Sequence, residues 1–138
     1  MLRKTIKYTD YNGVEREEVK YFNLSKAEIM EMEMSTVGGF AEMIERVVKA
    51  KDTPSIVAIF KELILKAYGE KSADGKRFIK VENGVRLADA FAETEAYSVL
   101  FMELATDAEA AAAFVNGIVP ADVAKEVANQ QPKLPINN

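Results

Sequence analysis

Up to Phe22 the apolar residues of this chain alternate with polar ones; beyond Asn23 they recur at three- and four-residue steps. Leu2 to Tyr8 and Val14 to Phe22 are short runs rich in β-branched and aromatic side chains, the composition of strands. Thr9-Asp10-Tyr11-Asn12-Gly13 joins them, and Asn12-Gly13 supplies two residues that tolerate positive φ, as a tight hairpin turn requires. Leu2, Lys4, Ile6 and Tyr8 fall on one face of the first strand, and Arg3, Thr5 and Lys7 on the other. That division predicts one face against a core and one in water.

Ser25, followed three residues later by Glu28, has the spacing of a capping box and opens a helix to about Met34, stopped by Gly38-Gly39. Phe40, Met43, Ile44, Val47 and Val48 then predict one face of a second helix. Thr53-Pro54 is a start signal, because Pro at the first helical position forfeits no hydrogen bond. Ile56, Ile59, Phe60, Leu63, Ile64 and Ala67 form the wide stripe of a central helix, with Gly69 expected in the left-handed position that closes it. Asp74-Gly75 and Asn83-Gly84 punctuate a loop or small hairpin around Phe78-Ile79-Lys80-Val81. After a helical turn at Arg86 to Phe91, Thr94 caps a helix carrying Ala96, Tyr97, Leu100, Phe101 and Leu104 on one face. Thr106 and Glu109 repeat the capping-box spacing before an Ala-rich helix with Phe114, Val115 and Ile118, expected to close around Gly117. Pro120 starts a short helix to about Asn129, and residues 130–138 read as a flexible tail.

The expected fold is therefore mainly α: an N-terminal β-hairpin over residues 1–22, then a compact bundle of about five helices over 25–129. By a strict count this is α+β. One globular domain, residues 1–129, accounts for the chain, since no Gly/Ser- or Pro-rich linker divides its 138 residues.

Composition narrows the function. Hydrophobic residues are 49% of the chain, enough for a core, and the net charge of −4 argues against a phosphate-tracking nucleic-acid binder. Zero Cys and zero His remove disulfides, thiolate catalysis, the commonest metal ligand and Ser-His-Asp machinery, and point to a reducing cytoplasm. No apolar stretch approaches the roughly 18 residues of a membrane span, so neither export nor membrane insertion is expected. We expect no enzyme, no metal and no cofactor.

The clustered residues read more readily as structure than as chemistry. Glu93, Glu95, Glu103, Asp107 and Glu109 match neither a calcium loop nor a di-iron motif and are expected to be a solvated face. Gly38-Gly39 lacks the flanking pattern of a phosphate loop. Lys71, Lys76, Arg77 and Lys80 around Phe78 read as a short solvated basic loop. Met30, Met32 and Met34 alternate with Glu31 and Glu33, and residues two apart cannot share one helical face, so either at least one methionine is in water or the segment leaves the helix early. With Tyr8 and Tyr21 these methionines form the candidate partner-binding surface: a two-stranded hairpin leaves backbone groups unpaired, and methionine adapts to varied clients. The plainer alternative makes Tyr8 and Tyr21 a cross-strand pair and the methionines core filling.

The segments KTIKYTDYNGVERE, NLSKAEIMEMEMSTVGG, FKELILKAYGEKSADGKRFIK and TEAYSVLFMELATDAEAAAAFVNGIVP resemble the tail assembly chaperones of long-tailed bacteriophages. The likeness covers nearly the whole chain and points to the form found in phages and prophages of Gram-positive bacteria. The resemblance implies a non-catalytic protein of the host cytoplasm, absent from the mature virion, which binds the tape measure protein and helps the tail tube protein assemble around it. Self-association is left open. The resemblance also implies the shorter of two products where a ribosomal frameshift operates. The competing reading is a structural tail-completion or connector subunit retained in the virion, joined to its neighbours by strand addition at the hairpin edge.

Overall fold

The computed structural model of the protein describes residues 1–35, 39, 42, 45 and 53–120. Phe40, Met43, Ile44, Val47 and Val48, the apolar face expected of a second helix, lie outside them, as do the helix expected beyond Pro120 and the tail at 130–138.

Strand β1 (Leu2–Thr9) and strand β2 (Glu15–Phe22) form the expected antiparallel hairpin, with Leu2 opposite Phe22 and Thr9 opposite Glu15. Asp10 organises the turn: its carboxylate accepts from the amides of Asn12 and Val14, each at 2.9 Å, and Gly13 takes φ +78°. Helix α1 (Lys26–Ser35) follows, and its capping box is complete. The Glu28 amide donates to Ser25 Oγ at 3.1 Å, and the Ser25 amide donates to Glu28 Oε1 at 2.9 Å.

Helix α2 (Thr53–Ala67) begins at the Thr-Pro signal, but it runs directly into strand β3 (Tyr68–Lys71) without a left-handed glycine. Gly69 is needed for a different reason. A Cβ there would stand 2.6 Å from the Phe78 ring and 2.7 Å from the Ile79 carbonyl oxygen, so only glycine lets strand β4 (Phe78–Ile79) approach. Strand β3 pairs with β2 (Tyr21 opposite Gly69) and with β4 (Lys71 opposite Phe78), which extends the hairpin into a sheet ordered β1-β2-β3-β4. Strands β5 (Val81–Glu82) and β6 (Val85–Arg86) make a second ribbon around Asn83 and Gly84, both at positive φ.

The remaining described helices are α3 (Leu87–Ala92), α4 (Glu95–Thr106) and α5 (Ala108–Ile118). Thr94 caps α4 by accepting from the Tyr97 amide. The cap of α5 is Asp107 and not Thr106: Asp107 Oδ1 accepts from the amides of Glu109 and Ala110, while the Thr106 hydroxyl turns back to the Met102 carbonyl. Nor does Gly117 close α5. The helix continues to Ile118, and Gly117 makes room for Leu2, whose Cδ1 would lie 2.8 Å from an added Cβ.

These elements are the N-terminal hairpin and helices of the α+β count, and among the described residues, in place of a separate helical bundle, the helices and a four-stranded sheet share one core. Phe22 is its centre. It is fully buried, with its ring edge-on to those of Tyr68, Phe91 and Phe114 at 5.3 to 5.9 Å, while Tyr68 and Phe91 stack at 4.1 Å. Phe60 and Leu63 are buried as their stripe predicts, and α2 packs against α4, which buries Ala96, Leu100 and Leu104. Helix α4 also lies along β1, where Lys4 pairs with Glu103.

Candidate functional site

The five residues singled out for partner binding separate once the chain folds. In α1, Ile29 and Met32 stand three residues apart on the inward face and are buried. Met30 and Met34 stand four apart on the outward face and remain 63% and 83% exposed. Met32 therefore belongs to the core and drops out of the surface. Tyr8 lies half-buried on the inner face of the sheet and donates a 2.6 Å hydrogen bond to Glu18 Oε1. That bond raises the Tyr8 phenol and lowers the Glu18 carboxyl from their ordinary values. Tyr21 lies on the outer face, opposite Arg3 on one side and Gly69 on the other. Tyr8 is opposite Arg16, so the two tyrosines are not a cross-strand pair. What remains is an apolar spot made by Met30 and Met34, with the exposed carboxylates Glu31 and Glu33 on the same helix.

Beside this spot a groove of about 290 Å³ runs between Glu28 and Glu31 of α1, Leu65 and Lys66 of α2, and Val81 and Arg86 of the β5-β6 ribbon. The ribbon leaves Val81 and Val85 more than half exposed.

Lys80, expected as part of a solvated basic loop, is instead the tie that fixes this region. Its ammonium donates to the Asn23 carbonyl at 2.7 Å, to the Lys66 carbonyl at 2.7 Å and to Glu28 Oε2 at 2.6 Å. It thereby joins the end of β2, the last turn of α2 and the capping residue of α1. Burial pulls the Lys80 ammonium below its ordinary value, with the Glu28 carboxylate opposing. Burial alone would raise the Glu28 carboxyl, but the bonds from Lys80 and the Ser25 amide outweigh it and hold it below 4.5. The alternation Ile79-Lys80-Val81 was the available signal, because it turns Lys80 away from its apolar neighbours.

Among the described residues no group of three His, Cys, Asp or Glu side chains is placed to hold a metal, and no helix is long and apolar enough to cross a membrane.

No curated protein and no solved structure matches the chain. A family model described as phage tail assembly chaperone matches residues 1–138, the whole length. The chain belongs to the phage tail assembly chaperone family.

Proposed function

We propose that the protein acts without catalysis, in the host cytoplasm, by binding the tape measure protein and holding its apolar helical segments until the tail tube protein assembles around them. The family match across the whole chain carries this reading. The outward face of α1 suits the task. Met30 and Met34 offer a polarisable, adaptable contact, and the carboxylates beside them discourage packing of one copy against another. The client contact is assigned to Met30 and Met34, and the protein leaves before the virion is complete.

Co-expression with the tape measure protein tests the reading. The wild-type chain keeps that protein soluble and co-purifies with it. Met30→Glu/Met34→Glu retains the fold, because both positions face water, and loses the client. Retention of the client at wild-type yield by this variant refutes the α1 surface. Recovery of the chain from purified virions refutes the chaperone role in favour of a structural subunit.

A further inference from the structure

Strand β1 ends the sheet, and one of its edges has no partner among the described residues. Which residues face that edge follows from the ladder. The Asp10 amide donates to the Val14 carbonyl at 2.9 Å, so that pair is hydrogen-bonded. Antiparallel pairs alternate between bonded and non-bonded, which makes the pairs of Leu2, Lys4, Ile6 and Tyr8 the bonded ones in the observed register. The amides and carbonyls of Arg3, Thr5, Lys7 and Thr9 therefore point outward, away from β2. The opposite side of the hairpin obeys the same parity: the Asn23 amide reaches the Ala67 carbonyl at 2.8 Å, and Tyr21 pairs with Gly69.

This edge also has a charge pattern. Arg3, Lys4 and Lys7 are cationic, β1 contains no acid, and yet the chain as a whole carries −4. Lys4 is committed to Glu103 on the inner face. Arg3 and Lys7 are exposed on the outer face and form no ion pair with described residues. On the inner face Ile6 is buried and Leu2 is half-buried against the core, so the edge presents its backbone there and no free apolar side chain. Edge strands are normally blunted by shortness, bulges, covering or charged side chains; this one runs eight residues, and its charges, Arg3, Lys4 and Lys7, are all of one sign, so they repel a like strand and leave an acidic one favoured.

We propose that β1 accepts an extended segment of another protein by strand addition, and that the segment presents Asp or Glu at alternate positions toward Arg3 and Lys7. Main-chain bonds to Arg3, Thr5, Lys7 and Thr9 supply the attachment, and the two cations select acidic sequences. A second copy pairing β1 to β1 antiparallel about Thr5 is disfavoured, because it sets Arg3 against Lys7 twice. The surface is separate from the methionine face of α1, so the inference stands or falls independently of which tail protein is the client.

The test uses the purified full-length chain, a nine-residue peptide of alternating Glu and Val, and amide exchange followed by NMR. In the free protein the amides of Thr5 and Lys7 exchange at least about tenfold faster than those of Lys4 and Ile6, whose N–H groups lie in the ladder. The peptide slows Thr5 and Lys7 by at least about tenfold, and added salt weakens the effect. Thr5→Pro removes the central outward donor without touching the β1-β2 ladder, and abolishes the protection. Arg3→Glu/Lys7→Glu, a change at exposed side chains only, loses the acidic peptide and gains protection from a Lys/Val peptide. Four results overturn the proposal. One is Thr5 and Lys7 already protected in the free chain, which means its own residues cover the edge. Another is protection that grows with protein concentration, which makes the occupant a second copy. The others are no slowing by the acidic peptide, and slowing that survives the charge reversal.

Discussion

Replacing Lys80 by Met keeps the aliphatic stem and removes the ammonium that joins three elements. Three hydrogen bonds go at once: two to the carbonyls of Asn23 and Lys66 and one to the Glu28 carboxylate. A bond to a charged group contributes about 1.5–3 kcal/mol in a dry setting, but these do not add, since one ammonium makes all three. Water also reaches the site, with the Lys80 side chain 22% exposed and that of Glu28 34%. Solvent can therefore recover part of each bond, and the expected loss is about 2–4 kcal/mol. Urea unfolding at pH 7, followed by circular dichroism, should show a lower midpoint with an unchanged slope, and the melting temperature should fall by about 8–16 °C. Much of the loss comes from stranding Glu28, so Glu28→Gln in the Lys80→Met background should restore about 1 kcal/mol. A loss below about 1 kcal/mol for Lys80→Met would show that solvent replaces the tie and that it organises nothing.

Leu63→Ala, at a fully buried position facing α4, should cost about 2–5 kcal/mol by the same unfolding measurement, and a loss under about 1 kcal/mol would contradict the core assignment. Gly69→Ala forces a methyl into the Phe78 ring and the Ile79 carbonyl, and a loss of about 1–3 kcal/mol is expected; Gly75→Ala meets no neighbouring atom, so its cost of about 1–2 kcal/mol should come from the left-handed backbone at φ +74° and leave the β3-β4 pairing in place. The carboxyls of Glu28, Glu18, Asp10 and Asp74 are all held below their ordinary values, so the unfolded chain binds more protons at mildly acid pH. The stability they contribute is complete above their ordinary values of 3.8 to 4.5 and is lost as pH falls through the depressed ones. The urea midpoint should accordingly decline below about pH 4.5, and a midpoint that rose on acidification would contradict the assigned hydrogen bonds.

Local patterns determined the elements. Period-two alternation and Asn12-Gly13 are sufficient for the hairpin, because turn chemistry and side-chain parity act over a few residues. The Ser25/Glu28 capping box, Thr94 and the stripe through Phe60 and Leu63 stand in the structure as the sequence implies. The Met/Glu alternation in α1 likewise made at least one exposed methionine unavoidable, since successive even positions sweep around a helix.

Tertiary structure decided what those elements meet. Nothing in the sequence around Gly69 distinguishes a helix-closing glycine from one that admits a neighbouring strand; the distinction needs Phe78 and Ile79, brought beside it by the β3-β4 pairing. Sorting Met30, Met32 and Met34 into core and surface required knowing which side of α1 the rest of the protein covers. Lys80 looked like one cation in a basic loop because its three acceptors come from positions 23, 28 and 66, which only the fold gathers around one ammonium. Thr106 lost the cap to Asp107 by one residue, a difference too small for spacing to settle when both side chains can accept the same amides. Propensity, caps and turns are short-range and can be read along the chain, whereas burial and long-range hydrogen bonds depend on residues far apart in sequence, and these fixed both the core and the surface left for a partner.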